Sequence, residues 1–162
     1  MLKRLFPLAA ATAFLALVID VSNSHPPQAS AKPSPGVVIQ KVFSGTQTLN
    51  GSTLNYPEGT PEMRLFRVEI PAGGSIPLHT HPAPMLVHVQ DINSGDLFNT
   101  RVQPDGSEVS SVFKPGQVFL EGSSEPHYVA NRGTTPTIIW VYVASVEGLP
   151  TTEWMKSTTP GR

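Results

Sequence analysis

The chain has 162 residues, of which 39% are hydrophobic, 17 are Pro and 13 are Gly, with no Cys and a formal charge of −1. That length and apolar content suit one domain around one core, and the lack of Cys excludes disulfides, thiolate metal sites, a cysteine nucleophile and a lipoprotein anchor. With no run of Lys or Arg, the chain carries no electrostatic footprint for nucleic acid or for an anionic membrane surface.

The first element is a targeting segment. Lys3 and Arg4 make a basic start, Leu5 to Ile19 is an apolar stretch of 15, and Ala29-Ser30-Ala31 offers a small-x-small cleavage site. Fifteen apolar residues closed by Asp20 fall short of the roughly 20 that a spanning helix needs. Residues 1–31 are therefore expected to be a signal peptide, and the mature chain to be periplasmic or secreted, with no membrane partner once the segment is removed. Its loss takes Lys3, Arg4 and Asp20 from 11 basic and 12 acidic side chains, leaving 9 and 11 and a charge of −2. Residues 32–59 read as an N-terminal linker, with Pro33 and Pro35, followed by a first strand over Val37 to Phe43.

Residues 60–145 carry the expected barrel. Strands are predicted over Met63 to Ile70, Ser75 to His81, Met85 to Asp91, Leu97 to Gln103, Glu108 to Phe113, Gln117 to Glu121, His127 to Asn131 and Thr137 to Ala144. Pro104-Asp105-Gly106 is the clearest tight turn. The last of these strands is apolar on both faces, with Ile138, Trp140 and Tyr142 on one and Ile139, Val141 and Val143 on the other. It is expected to be buried twice, between two layers or at a subunit interface. Residues 146–162 read as an extended C-terminal tail. Nine short strands without a helical period imply an all-β sandwich, jelly roll or small barrel.

The chemistry rests on five histidines: His25, His79, His81, His88 and His127. His79 and His81 stand one residue apart in a strand, so the period of two places both imidazoles on one face. Such a pair suits Fe, Mn, Ni, Zn or Cu, and His127 from another strand would complete a three-histidine site with open positions. His88 falls on the opposite face and is not counted as a ligand. His25 belongs to the segment expected to be removed, and Trp140 and Trp154 are read as packing residues.

The two histidine segments resemble the cupin superfamily. Its first motif is Gly, five residues, HxH, three or four residues, Glu, six residues, Gly, and the chain reads GGSIPLHTHPAPM from Gly73. Its second is Gly, five residues, Pro, one residue, Gly, two residues, His, three residues, Asn, and the chain reads GQVFLEGSSEPHYVAN from Gly116 to Asn131. The resemblance covers residues 60 to 145 and implies an all-β, single-domain jelly-roll barrel with one divalent metal ion at its centre.

Three departures matter. Met85 stands in place of the motif-one glutamate, Gly122 and Ser124 stand in place of the motif-two Pro and Gly, and nine residues rather than six separate Met85 from Gly95. A thioether does not replace a carboxylate for a hard metal. Three readings follow: a site of three histidines, a carboxylate supplied from elsewhere, or a barrel without metal. The second is preferred, with Glu121 as fourth ligand, because a carboxylate within the apolar run VFLEG needs a partner. The resemblance points the same way, since relatives with Pro-Met after HxHP often carry an acidic residue at this position. Glu125 is the weaker substitute and reads as a turn residue.

The barrel hosts unrelated activities, so two functions stay open. One is a small-molecule enzyme of dioxygenase, decarboxylase, lyase or isomerase type, with Glu121 or Tyr128 as acid or base. The other is a periplasmic protein that binds a small molecule or metal without turnover, favoured by the apolar wall of Met85, Val87, Val89 and Phe119. The partner expected is a small molecule, and the resemblance adds a homodimer through the final strand.

Overall fold

Runs of alternating polarity become strands where a neighbouring run completes their ladder, and the chain shows both outcomes. The computed structural model describes Lys32 and residues 34–156, and every regular element among these is a strand. In chain order they are β1 (Pro61–Ile70), β2 (Ser75–Thr80), β3 (Met85–Val89), β4 (Leu97–Val102), β5 (Glu108–Phe113), β6 (Val118–Glu121), β7 (His127–Ala130), β8 (Thr137–Val146) and β9 (Glu153–Trp154). The segment expected to be a signal peptide, with His25, lies outside the described residues.

The chain divides into two units, Met1–Ile39 and Gln40–Arg162. In the first, the described residues make a turn in which the Val37 N–H donates to the Ser34 carbonyl at 3.1 Å. The second unit holds all nine strands, in two antiparallel sheets ordered β1-β8-β3-β6 and β5-β4-β7-β2-β9. Their inner faces share one core built on Val87, Val89, Leu97, Phe119, Val129 and Val143, which makes the expected jelly-roll barrel.

Three expectations change. No strand forms over residues 37–43, because β-propensity is realised only against a partner. The free edge of β6 is approached instead by a small hairpin closed at Gln47 and Thr53, in which the Leu49 N–H donates to the Leu120 carbonyl at 3.0 Å. The final long strand, β8, has no second layer of this chain over its outer face. Ile139, Val141 and Val143 face the core, whereas on the other face Ile138 is buried, Trp140 half-buried and Tyr142 39% exposed. The tail, expected to be plainly extended, returns to the barrel. There β9 pairs with β2 at His79 and Thr80.

Asn131, the last residue of the second motif, ties the sheet ends together. Its Nδ2 donates to the carbonyls of Ile70 and Thr135 at 3.0 and 2.8 Å, and its Oδ1 accepts from the Gly133 N–H at 2.9 Å. The side chain is fully buried, so Asn131→Ala would orphan three backbone groups. A loss of roughly 2 to 4 kcal/mol in urea unfolding is expected.

Candidate metal centre

The site begins with an irregularity in β2. Pro77 has no N–H, so it cannot donate to a ladder, and the β2–β7 register shifts between Ile76 and His79. The shift sets His79 directly opposite His127. It also lets Ile76, of the other parity, reach the same cavity as the two histidines. This β-bulge re-aims side chains at a barrel rim, a common use of such features.

His79, His81 and His127 are all buried, and one ligand atom from each lies within 4.8 Å of the others. Each ring is oriented by a backbone carbonyl. Pro77 O takes His79 Nδ1 at 2.6 Å, Thr151 O takes His81 Nδ1 at 2.8 Å, and Glu125 O takes His127 Nδ1 at 2.8 Å. A carbonyl only accepts, so each Nδ1 carries the proton and each Nε2 keeps its lone pair for the centre, the arrangement of metal-bound imidazoles.

Glu121 faces the same centre. It pairs with Met85 across the β3–β6 ladder, so it lies directly beside the place where motif one would carry its glutamate. Its Oε1 is 3.2 Å from His127 Nε2 and its Oε2 is 3.6 Å from His81 Nε2. Asn99, fully buried on β4, donates Nδ2 to Oε1 at 2.9 Å and fixes the carboxylate plane. The His127 Nε2 makes no hydrogen bond of good geometry despite that short approach. An orphaned buried nitrogen beside a carboxylate and two more free imidazole nitrogens fits a cation, and these three histidines form a cluster able to hold one.

Electrostatics follow from burial and proximity. Burial, with the neighbouring His127 next, pushes His79 down to about 4. Burial also lowers His81, against the pull of Glu121. For Glu121, burial favours the acid, but the charge of His127, with those of His81 and His79, outweighs it and holds the carboxylate well below its usual range. His127 moves the other way: burial opposes its charge, and Glu121 overcomes that and raises it. Between pH 6.5 and about 4 an unfolded His79 binds a proton that the folded one refuses, so the metal-free protein loses stability as pH falls through that window. The His127 contribution is complete below its unfolded value and is lost as pH rises through its raised folded value. Urea unfolding in the presence of a chelator should therefore show greatest stability near neutrality.

Other predicted residues sit elsewhere. His88 points outward, with Nε2 3.3 Å from Asp91 Oδ1. Tyr128 donates its hydroxyl to Glu108 at 3.0 Å on the outer face and does not reach the site. Glu125 accepts from Thr48 Oγ1 at 2.8 Å, so its side chain is engaged away from the histidines while its carbonyl serves His127. The motif-two substitutions are also explained. A Cβ at Gly122 would stand 2.7 Å from Thr48 and Glu125 side-chain atoms, and Ser124 keeps a left-handed backbone at φ 58° while its N–H donates to the His81 carbonyl at 2.7 Å.

Sequence reasoning missed Asn99, Thr151 and Trp154. Trp154, read as terminal packing, is 67% exposed, with its ring 5.5 Å from that of His79, and it lines the rim of the cavity over the histidines. That cavity measures about 150 Å³. A larger groove of about 510 Å³ on the outer face of β3 and β8 has no His, Asp or Glu in its lining, so the chemistry belongs to the smaller space.

The cupin family model matches residues 29–148. Among solved structures, an oxalate decarboxylase of Lactobacillus farciminis is 21% identical with a TM-score of 0.47, over 58% of this chain and 26% of its own. The polyketide cyclase RemF of Streptomyces resistomycificus is 20% identical with a TM-score of 0.46, over 59% and 63%. Vicilin of Corylus avellana is 20% identical with a TM-score of 0.47, over 56% and 24%. The chain thus spans about a quarter of the first of these. No curated protein matches the chain.

Proposed function

Because the chain belongs to the cupin family, whose barrel serves unrelated chemistries, we propose that it is an exported metal-dependent enzyme acting on a small molecule, of dioxygenase, decarboxylase, lyase or isomerase type. His79, His81, His127 and Glu121 hold one divalent cation in this reading. The observation that carries it is the convergence of three Nε2 lone pairs and one carboxylate, each oriented by a second partner. A divalent cation bound there supplies a Lewis acid that polarises a ligand oxygen. The protein's own part is to orient the four ligand groups, to exclude water with Val87, Val129 and Val141, and to narrow the entrance with Trp154. Residues 1–31 act as the export signal, and a mature N-terminus at Lys32 after expression in a bacterial host tests that point. The exposed outer-face side chains Met63, Leu65 and Tyr142 support a homodimer through β1 and β8.

One observation favours a second reading, binding without turnover. Among the described residues that line the cavity, the only acids or bases are the four proposed ligands, which leaves no separate general acid. The untagged protein reconstituted with Fe(II), Mn(II), Ni(II), Zn(II) or Cu(II) separates the two. Oxygen uptake, carbon dioxide release or conversion of small oxo acids with one of these metals supports the enzyme. Tight ligand binding with no conversion under any metal overturns it in favour of the binding protein.

A further inference from the structure

The cavity is divided by polarity along the strands. At one end stand His79, His81, His127 and Glu121, with Met85 opposite Glu121. Two residues past His127 on β7 and Met85 on β3 are Val129 and Val87, Val141 on β8 lies opposite Val87, and two residues beyond it on that strand is Ile139, which pairs with Val68 on β1. At about 3.3 Å per residue the apolar part begins roughly 7 Å below the histidines and goes on for as much again. No Lys or Arg lines the cavity. The buried Arg101 on β4 is not part of the wall, and its guanidinium bonds to Ser111 at 3.2 Å.

These facts constrain a ligand at both ends. The whole cavity is about 150 Å³, polar at the histidine end and lined deeper by Val68, Val87, Val129, Ile139 and Val141, and an apolar space of about that size accepts a benzene-sized body. The charge balance sets the head: a divalent cation with one carboxylate, Glu121, leaves one positive charge, which a monoanion neutralises. A dianion with charges at both ends would put its second charge among valines with no cation to meet it, a costly arrangement. We propose that the site takes a compact monoanionic oxygen acid, a single carboxylate, enolate or phenolate on a hydrocarbon body of about six carbons, with the oxygen end at the histidines and the body among Val87, Val141 and Ile139. This rests on the metal-dependent reading for the head and on the cavity alone for the body.

The two parts are tested separately on the untagged full chain. Benzene, added to the metal-free protein, should raise the thermal midpoint in wild type and have no effect in Val141→Phe, where the ring fills the space. Val141→Leu, a smaller intrusion, should show a reduced response and guards against misfolding of the larger variant. Benzoate and oxalate are then titrated calorimetrically into the zinc-loaded protein. Benzoate should bind at least about 100-fold more tightly than oxalate, as expected when a second carboxylate is left unpaired in an apolar site, and Val141→Phe should lose benzoate while keeping zinc. Zinc uptake with no benzene response, or with oxalate equal to benzoate, overturns the inference while leaving the metal reading intact. A benzene response with no zinc uptake overturns the metal reading and the oxygen head with it.

Discussion

The His127→Ala variant is expected to lose stoichiometric metal and to unfold with about 3 to 5 kcal/mol less stability at pH 7. The loss of metal follows from position. His127 lies directly opposite His79 across the β2–β7 ladder, so its ring closes the ligand set and no neighbouring side chain replaces it. The loss of stability follows from what remains. Glu121 is buried, and burial by itself favours its acid form, while His127 is the largest influence that keeps it ionised. Without the imidazole the carboxylate is a buried charge with only Asn99 as a close donor. Its folded value then rises, so the stability that the ionised carboxylate contributes in wild type above its unfolded value is reduced. The gap between variant and wild type should narrow as pH falls from 7 towards 4. Urea unfolding at several pH values, with elemental analysis of the purified variant, checks both effects.

Glu121→Gln is expected to weaken metal binding by more than about 100-fold while leaving the fold intact. Loss of an outer partner alone costs roughly 10- to 100-fold at such sites, and here the charge of a proposed ligand is removed. The amide oxygen still accepts from Asn99 Nδ2, which sits 2.9 Å from Oε1 in wild type, so the local packing is retained. Asn99→Ala should fall between wild type and Glu121→Gln, at about a tenfold loss, because it frees the carboxylate plane without removing the charge. Competition against a chromogenic chelator measures all three. Equal affinities for wild type and Glu121→Gln would reduce the site to its three histidines.

The histidines were legible because the strand period fixes a face: His79 and His81 share one, and His88 does not. Glu121 was legible from a local conflict, a carboxylate within VFLEG that needs a partner. Its place opposite Met85 was not, since the register of β3 with β6 depends on packing between segments far apart in the chain. Pro77 marks a break in the β2 ladder, but a proline alone does not say which way a register slips. Asn99 reads in LFNTRV as an ordinary polar position, and only the meeting of the two sheets brings it to Glu121. A strand of two residues such as β9 leaves no periodic trace. The run from Val37 to Phe43 failed for the opposite reason: it has the composition of a strand and no ladder partner.

The most direct measurement is the metal content of the untagged protein, by elemental analysis as purified and after reconstitution followed by removal of free ion. Close to one equivalent of a first-row divalent metal per chain is the result predicted by the convergence of His79, His81, His127 and Glu121. No retained metal under any reconstitution would contradict it, and would leave the orphaned His127 nitrogen beside Glu121 as a structural ion pair in a barrel without a cation.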